Sequence, residues 1–241
     1  MAKKKSVSSK PVTLAVDIGG SHIKIMLLDY RGKPLSDRLR QPTPVPPTPE
    51  NVLALLDGMR AQVGDFDRVS IGFPGVVKEG ITYTAANLDP AWIGFPFAHE
   101  IMKRWRRPVQ LANDAAVQGF GAIRGRGVEL VLTLGTGLGS ALYVNGHLCP
   151  GLELGHHPWR KGHSYEDYLG REGYDKHGKK KWNKHLAKAI EQTLHTFNWD
   201  HLYLGGGNAK KITLDPQPNI TIVSNEDGLT GGVALWRDVS I

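Results

Sequence analysis

At 241 residues and 26.4 kDa, with 40% hydrophobic and 22% charged residues, the chain has ordinary globular composition, which excludes a disordered or fibrous protein. Its single cysteine, Cys149, excludes an internal disulfide and a thiolate-built structural zinc site, and points to a reducing cytoplasm. No apolar run nears the roughly 20 residues that a bilayer crossing needs, and MAKKKSVSSK carries charge without the apolar core of a signal peptide, so a soluble, unexported protein without a membrane partner is expected.

Lys+Arg 30 against Asp+Glu 23 gives a net charge of +7 and a pI near 9.4, which suits a polyanionic partner and equally suits solubility alone. VTLAVD and IKIMLLDY read as two strands of a hairpin whose turn, Gly19-Gly20-Ser21, lies among Asp17 and Lys24, more polar chemistry than a plain turn requires. QPTPVPPTPE has five prolines among ten residues and should be extended, with Thr48 or Pro49 opening a helix over ENVLALLDGMRAQV. RVSIGFPGVV reads as a strand running into a glycine-proline turn, PFAHEIMKRWRR as an amphipathic helix, and PVQLAND as a strand ending on a polar pair.

Beyond Asp114 the pattern restarts. AAVQGFGAIRG reads as a helix and VELVLTLGTGLGSALYVNG as strand, glycine turn and strand; KKWNKHLAKAIEQTLHTF follows as a long helix. HLYLGGG is a strand breaking into three glycines, TIVSN a further short strand, and the C-terminal segment contains glycines. A strand, glycine turn and strand therefore occurs twice, each time followed by alternating helices and strands, which predicts two related α/β lobes around a cleft.

Glycine turns of this kind suit phosphate, because backbone N–H groups can approach the oxygens and the hydroxyls of Ser21 and Thr136 add donors. Asp17 has the chemistry to hold a hydrated Mg²⁺, which is usually bound by one or two carboxylates plus substrate phosphates; capping of the turn is the simpler role. The basic runs Lys103 to Arg107 and Asp175 to His185, with RGRG from Arg124 to Gly127, read either as solvated faces or as the track of a long polyanion.

The blocks DIGGS, GFPGVV, NLDPAW, AND, LGTGLGSAL and ELGH, in that order, resemble the ROK sugar kinases, and NLDPAW with LTLGTGLGSAL is similar to the polyphosphate glucokinase branch of that family. The resemblance spans about Val12 to Trp236. It implies an α/β, two-domain actin-like or hexokinase-type fold with an interdomain cleft. The division expected is a basic tail over 1–10, one domain over 11–114 and a second over 115–241, with a final helix at about 226–238 packing back on the first.

The implied activity is a phosphotransferase that moves a phosphoryl group from inorganic polyphosphate, and also ATP, to the 6-hydroxyl of glucose. A strictly ATP-dependent hexokinase and a non-catalytic sugar-binding regulator of the same fold are the alternatives. On the matching positions, Asp114 is the catalytic base, and Gly75, Asn87, Asn113, Glu153 and His156 bind the sugar. Gly19, Gly20, Ser21 and Lys24 with Gly135, Thr136 and Gly137 bind phosphate, Gly205, Gly206 and Gly207 lie near a nucleotide, and Asp17 holds Mg²⁺ through water.

Zinc is not expected, since the family's cysteine-rich motif is absent and His156, His157 and His163 lack a partner pattern. A homodimer is implied. Nucleic acid is not, because too few residues precede Val12 for a helix-turn-helix. Three positions depart from the family pattern: His22 and Ile25 stand where the first loop of the polyphosphate branch usually has glycine, and Ala116 where a second Asp or Asn is common. His22 either narrows its loop or contacts a phosphate.

Overall fold

The computed structural model describes residues 10–85, 88–149, 151–223 and 227–237. The first glycine-turn unit is β1 (Thr13–Ile18) and β2 (His22–Leu28), antiparallel, with Asp17 opposite Lys24 and Ile18 opposite Ile23. β1 is buried along nearly its whole length because it is central in its sheet, which explains its run of apolar residues. β3 (Leu39–Pro42) lies antiparallel on the outer edge of β2, where Pro42 withdraws no ladder hydrogen bond.

α1 (Pro49–Arg60) starts where the proline signal predicts: Thr48 is the N-cap and accepts the N–H of Asn51, with Pro49 in the first turn. Its buried Val52, Leu53, Leu56 and Met59 recur at helical spacing. β4 (Arg68–Phe73) runs parallel to β1, and the short strands β5 (Val77–Lys78) and β6 (Ile81–Thr82) form a small hairpin beyond it.

α2 (Phe97–Trp105) buries Phe97, Ile101 and Trp105 at intervals of four and ends on Arg106 in the left-handed region at φ 52. β7 (Val109–Asn113), parallel to β4, completes the order β3-β2-β1-β4-β7. Beneath the sheet Phe73, Trp92 and Phe97 meet at ring separations of 4.8 to 6.0 Å, and Trp92 Nε1 donates to the Pro47 carbonyl at 2.9 Å. The NLDPAW block thus ends in a core anchor whose truncation to alanine costs about 3–5 kcal/mol. Ile25, one of the three departures, also lies in this core.

α3 (Asp114–Ala122) carries the chain between the sheets and packs on both. β8 (Val128–Leu134), β9 (Leu138–Val144) and β10 (His147–Cys149) are antiparallel neighbours. A hairpin of β11 (Pro158–Arg160) and β12 (His163–Ser164) leads into α4 (Tyr165–Leu169), opened by a reciprocal capping box between Ser164 and Asp167.

α5 (Arg171–Phe197) begins well before the predicted start at Lys180 and kinks at Gly178, whose φ 72 only glycine adopts easily. β13 (His201–Gly205) and β14 (Ile220–Ile222) add in parallel, giving β10-β9-β8-β13-β14, the same arrangement of antiparallel and parallel neighbours as the first sheet.

In place of one regular final helix, the described C-terminal residues form α6 (Asp227–Thr230) and a 3₁₀ turn, Gly231–Trp236. They return to the first sheet: Leu229 and Val233 pack on Ala15, Met26 and Leu28, and Ser70 Oγ donates to the Gly232 carbonyl at 2.6 Å. Among the described residues no helix is long and apolar enough to cross a membrane.

Candidate active site

A cleft of ≈ 370 Å³ lies where the C-terminal ends of β4 and β7 and the two glycine turns converge. Asn113 ends β7 and caps α3. Its Oδ1 accepts the N–H groups of Ala115 and Ala116 at 2.9 and 3.3 Å, and its Nδ2 donates to the Gly75 carbonyl at 3.2 Å. The polar pair at the strand end therefore sets the first turn of α3, which carries Asp114 into the cleft.

The Asp114 carboxyl is pushed up to about 7, first by burial and then by the negative charges of Asp17 and Glu153, against the opposing hydrogen bond from the Ala115 N–H at 2.8 Å. A carboxylate tuned to this range can accept a proton from a hydroxyl near neutral pH.

Side chains hold the first glycine loop. The Gly19 N–H donates to the His22 carbonyl at 3.0 Å, while Thr43 donates its hydroxyl to the Gly19 carbonyl at 2.6 Å and its N–H to the Ser21 carbonyl at 3.0 Å. Lys24 Nζ meets Asp17 Oδ2 at 2.7 Å, and Arg40 Nη2 meets His22 Nδ1 at 3.0 Å across the β2–β3 ladder.

The second loop is held by backbone groups and by side chains without positive charge. Gly135 N–H donates to the Gly137 carbonyl and Arg171 N–H to the Thr136 carbonyl, both at 3.0 Å; Asn208 Nδ2 donates to the Gly135 carbonyl at 2.9 Å. One carboxylate joins them: Glu166 Oε2 accepts the Leu138 N–H at 2.8 Å and sits so close to Gly137 that any side chain there would collide with it. The amides of Gly20, Ser21, Thr136 and Gly137 find no acceptor among the described residues, which leaves donors of the kind a phosphate needs.

Next to the second loop, where Gly155 packs against the Leu138 carbonyl, Ser140 Oγ donates to the Leu152 carbonyl and accepts the Leu154 N–H, fixing the 3₁₀ turn Leu154–His156 at the cleft wall. Glu153 and His156 face each other at 3.7 Å, and burial pushes the Glu153 carboxyl up against the opposing pull of His156. Gly75 is required on steric grounds, because a side chain there would strike the Thr84 carbonyl.

Of the residues singled out in the sequence, Asp17, Gly19, Gly20, Ser21, Lys24, Gly75, Asn113, Asp114, Gly135, Thr136, Gly137, Glu153, His156 and Gly206 all line this one cleft. Gly205 and Gly207 do not line it: Gly205 is buried at the end of β13 and Gly207 is exposed outside. Asn87 falls outside the described residues. Ala116 is packed against Val131, Ala141 and Tyr143, a core position with no access to the cleft.

Glu166, Gln118, Thr133, Thr84 and Arg40 line the cleft without having been singled out. Only Glu166 left a trace in the sequence, as the acidic residue inside the SYEDYL cap.

The basic runs separate in space. Lys103 to Arg107 lie at the N-terminal end of β7, about 13 Å of strand from Asn113, where Arg104 pairs with Asp57 and Arg107 Nε donates to the Phe66 carbonyl. The RGRG turn wraps the buried Glu129 carboxylate with the N–H groups of Arg124, Gly125 and Arg126. Lys179 lies on the second-loop side: Asn183 Nδ2 bridges its carbonyl to that of Lys211, three residues after the Asn208 that holds Gly135.

A family model described as ROK family matches residues 13–174. Polyphosphate glucokinase of Mycobacterium tuberculosis (strain CDC 1551 / Oshkosh) is 32% identical over 209 residues, covering 81% of this chain and 77% of that one. Glucokinase of Thermotoga maritima is 33% identical over 158 residues, 59% of this chain and 49% of its own length. Among solved structures, the inorganic polyphosphate/ATP-glucomannokinase from Arthrobacter sp. strain KM superposes with a TM-score of 0.83 at 29% identity, covering 92% of this chain and 97% of that one.

Proposed function

The chain belongs to the ROK family and is a sugar kinase with the hexokinase-type fold, and from that premise we propose that it transfers a phosphoryl group from inorganic polyphosphate, with ATP as a second donor, to the 6-hydroxyl of glucose. The observation that carries the reading is the position of Asp114, in a cleft lined by two glycine loops with unpaired amides and holding a carboxyl pushed up to about 7. Phosphoryl transfer needs little covalent help from a protein; it needs one group to take the hydroxyl proton and donors around the moving phosphate.

In this reading Asp114 takes the proton from the 6-hydroxyl. Glu153 and His156 hold ring hydroxyls with Asn113, Asn87 and the backbone at Gly75, and the two loops hold the donor's terminal phosphates. Asn113 contributes chiefly by position, since its side-chain oxygen caps α3. The chain divides into lobes over 11–114 and 115–241, with the C-terminal turns returning to the first.

Among the described residues no group of three or more His, Cys, Asp or Glu side chains gathers as a metal site, so a divalent cation must draw most of its ligands from water and substrate. Asp17 fits that limited part: Lys24 occupies its Oδ2, and its Oδ1 has no partner among the described residues. A bound Mg²⁺ would supply charge neutralisation to the donor phosphates.

Polyphosphate is favoured as donor by the likeness to polyphosphate-using relatives and by the lysine-bearing backbone at Lys179 and Lys210–Lys211 on the second-loop side. The test is glucose 6-phosphate formation by the purified protein with Mg²⁺, with polyphosphate and ATP supplied separately. Turnover with polyphosphate is expected; turnover with ATP alone would assign the donor to the nucleotide, and none with either would overturn the reading.

A further inference from the structure

The cleft has a shortage of positive charge. Among its lining residues the permanent cations are Lys24 and Arg40, set against Asp17, Asp114, Glu153 and Glu166. Lys24 is held on Asp17 at 2.7 Å. Among the described residues Arg40 pairs with no carboxylate, and its side chain meets one hydrogen-bond partner, His22 Nδ1, at 3.0 Å. A polyanionic donor entering this cleft therefore meets one permanent cation that is not already neutralised.

The arrangement of that cation is specific. A guanidinium has five N–H donors and no acceptor, so His22 Nδ1 must accept, and the ring proton resides on Nε2. The bond crosses the β2–β3 ladder, where Arg40 stands opposite Lys24 and His22 opposite Pro42, and both side chains line the cleft beside the Gly19–Ser21 turn. Thr43, just past the end of β3, ties the same edge to the loop through the Gly19 and Ser21 carbonyls. Guanidinium and imidazole N–H thus stand side by side on a registered strand edge, a two-donor set suited to adjacent oxygens of a phosphate.

We propose that His22 and Arg40 form a phosphate-binding pair on the first lobe, separate from the two glycine loops, that grips the phosphoanhydride chain of the donor next to the phosphate being transferred. The ligand class is a condensed phosphate, whether inorganic or the triphosphate of a nucleotide. The inference rests on the kinase reading for the identity of the donor, though not for the pair's ability to bind phosphate. It also gives the bulky residue at position 22 a role: the imidazole extends the loop's donor set toward Arg40.

The experiment has a binding arm and a kinetic arm. Tripolyphosphate titrated calorimetrically into wild type, Arg40→Ala, Arg40→Lys, His22→Phe and Arg38→Ala reads the pair without turnover. Arg38 is exposed one residue before β3 and does not line the cleft, so its variant serves as the control. Arg40→Ala is expected to weaken binding about tenfold or more, Arg40→Lys and His22→Phe by less, and Arg38→Ala not at all.

In steady-state assays Arg40→Ala should raise KM about tenfold for whichever donor supports turnover, leave the KM for glucose unchanged and lower kcat far less than it raises donor KM. Unfolding curves should match wild type, since Arg40 is exposed on an edge strand. Wild-type tripolyphosphate affinity and donor KM in Arg40→Ala would overturn the pair. Weakened tripolyphosphate binding in a protein that phosphorylates no glucose would keep the pair and overturn the kinase reading.

Discussion

The two lobes share a strand order and place a glycine turn at the same point in it, yet they hold that turn by different means. In the first, charged and hydroxylated side chains from β1, β2 and the β3 edge do so: Lys24 on Asp17, Arg40 on His22, Thr43 on Gly19. In the second, the backbone N–H of Arg171, the side-chain amide of Asn208 and the carboxylate of Glu166 do so, and among the described residues no cationic side chain takes part. One architecture thus yields a grip that carries positive charge and an amide cradle that carries none, and a phosphoryl group in transit can use both, the first for its cations and the second for donors whose position must not shift.

Asp114 stands between the two, and its loss should have the largest effect. Asp114→Asn is expected to lower turnover by roughly two to four powers of ten while glucose affinity stays within a few-fold, read by steady-state kinetics and equilibrium titration.

The same substitution has a stability signature. The folded carboxyl sits at about 7 against about 3.9 in an unfolded chain, so the native state binds the proton more tightly. Wild-type stability from this group is full below pH 4, falls as pH rises toward 7 and is level above; the total is up to about 4 kcal/mol. Asp114→Asn should remove that slope and melt higher than wild type at pH 8, a gain that accompanies lost activity.

Glu153→Ala should follow, weakening glucose binding by about 1–3 kcal/mol because a polar sugar group is left unpaired. Titration of glucose monitored by thermal shift reads it, and an unchanged affinity would place the sugar elsewhere.

The contrast between the loops is sharpened by a matched pair. Glu166→Ala strands the Leu138 N–H and should cost about 1–3 kcal/mol in denaturant unfolding and raise donor KM about tenfold. Thr43→Val removes one hydrogen bond at the first loop and should cost about 1 kcal/mol, with donor KM within about threefold. Equal kinetic effects would remove the distinction between a rigid cradle and an adjustable grip.

The smallest expected change is in the Lys179, Lys180, Lys181 triple alanine variant. It should flatten the salt dependence of polyphosphate affinity while leaving any ATP-dependent rate within about twofold. An unaltered salt slope would make this run a solvated face.

What the sequence makes legible is local. The hairpin at Asp17, the helix start at Thr48–Pro49 and the strand ending on Asn113–Asp114 each depend on neighbours within a few residues, where alternation, proline and cap chemistry act. The bond of Glu166 to the second loop is not legible because its partner, the Leu138 N–H, lies 28 residues away, and the place of Arg40 is not because it follows from the register of an edge strand. The return of the C-terminal segment, bonded from Gly232 to Ser70 across 162 residues, likewise leaves no periodic trace. At Gly205 to Gly207 three adjacent glycines read alike, but strand direction buries the first and turns only Gly206 toward the cleft.

Asp114, poised by burial and two neighbouring carboxylates, is the proposed base of the sugar phosphoryl transfer. Its most direct test is kcat/KM for glucose, with Mg²⁺ and saturating donor, from about pH 5.5 to 8.5 in wild type and Asp114→Asn. The wild-type rate is expected to climb about tenfold per pH unit at the acid end and level above about 7, over a low and flat Asp114→Asn profile. A wild-type profile flat across that range, or an Asp114→Asn enzyme with near-normal turnover, would contradict it.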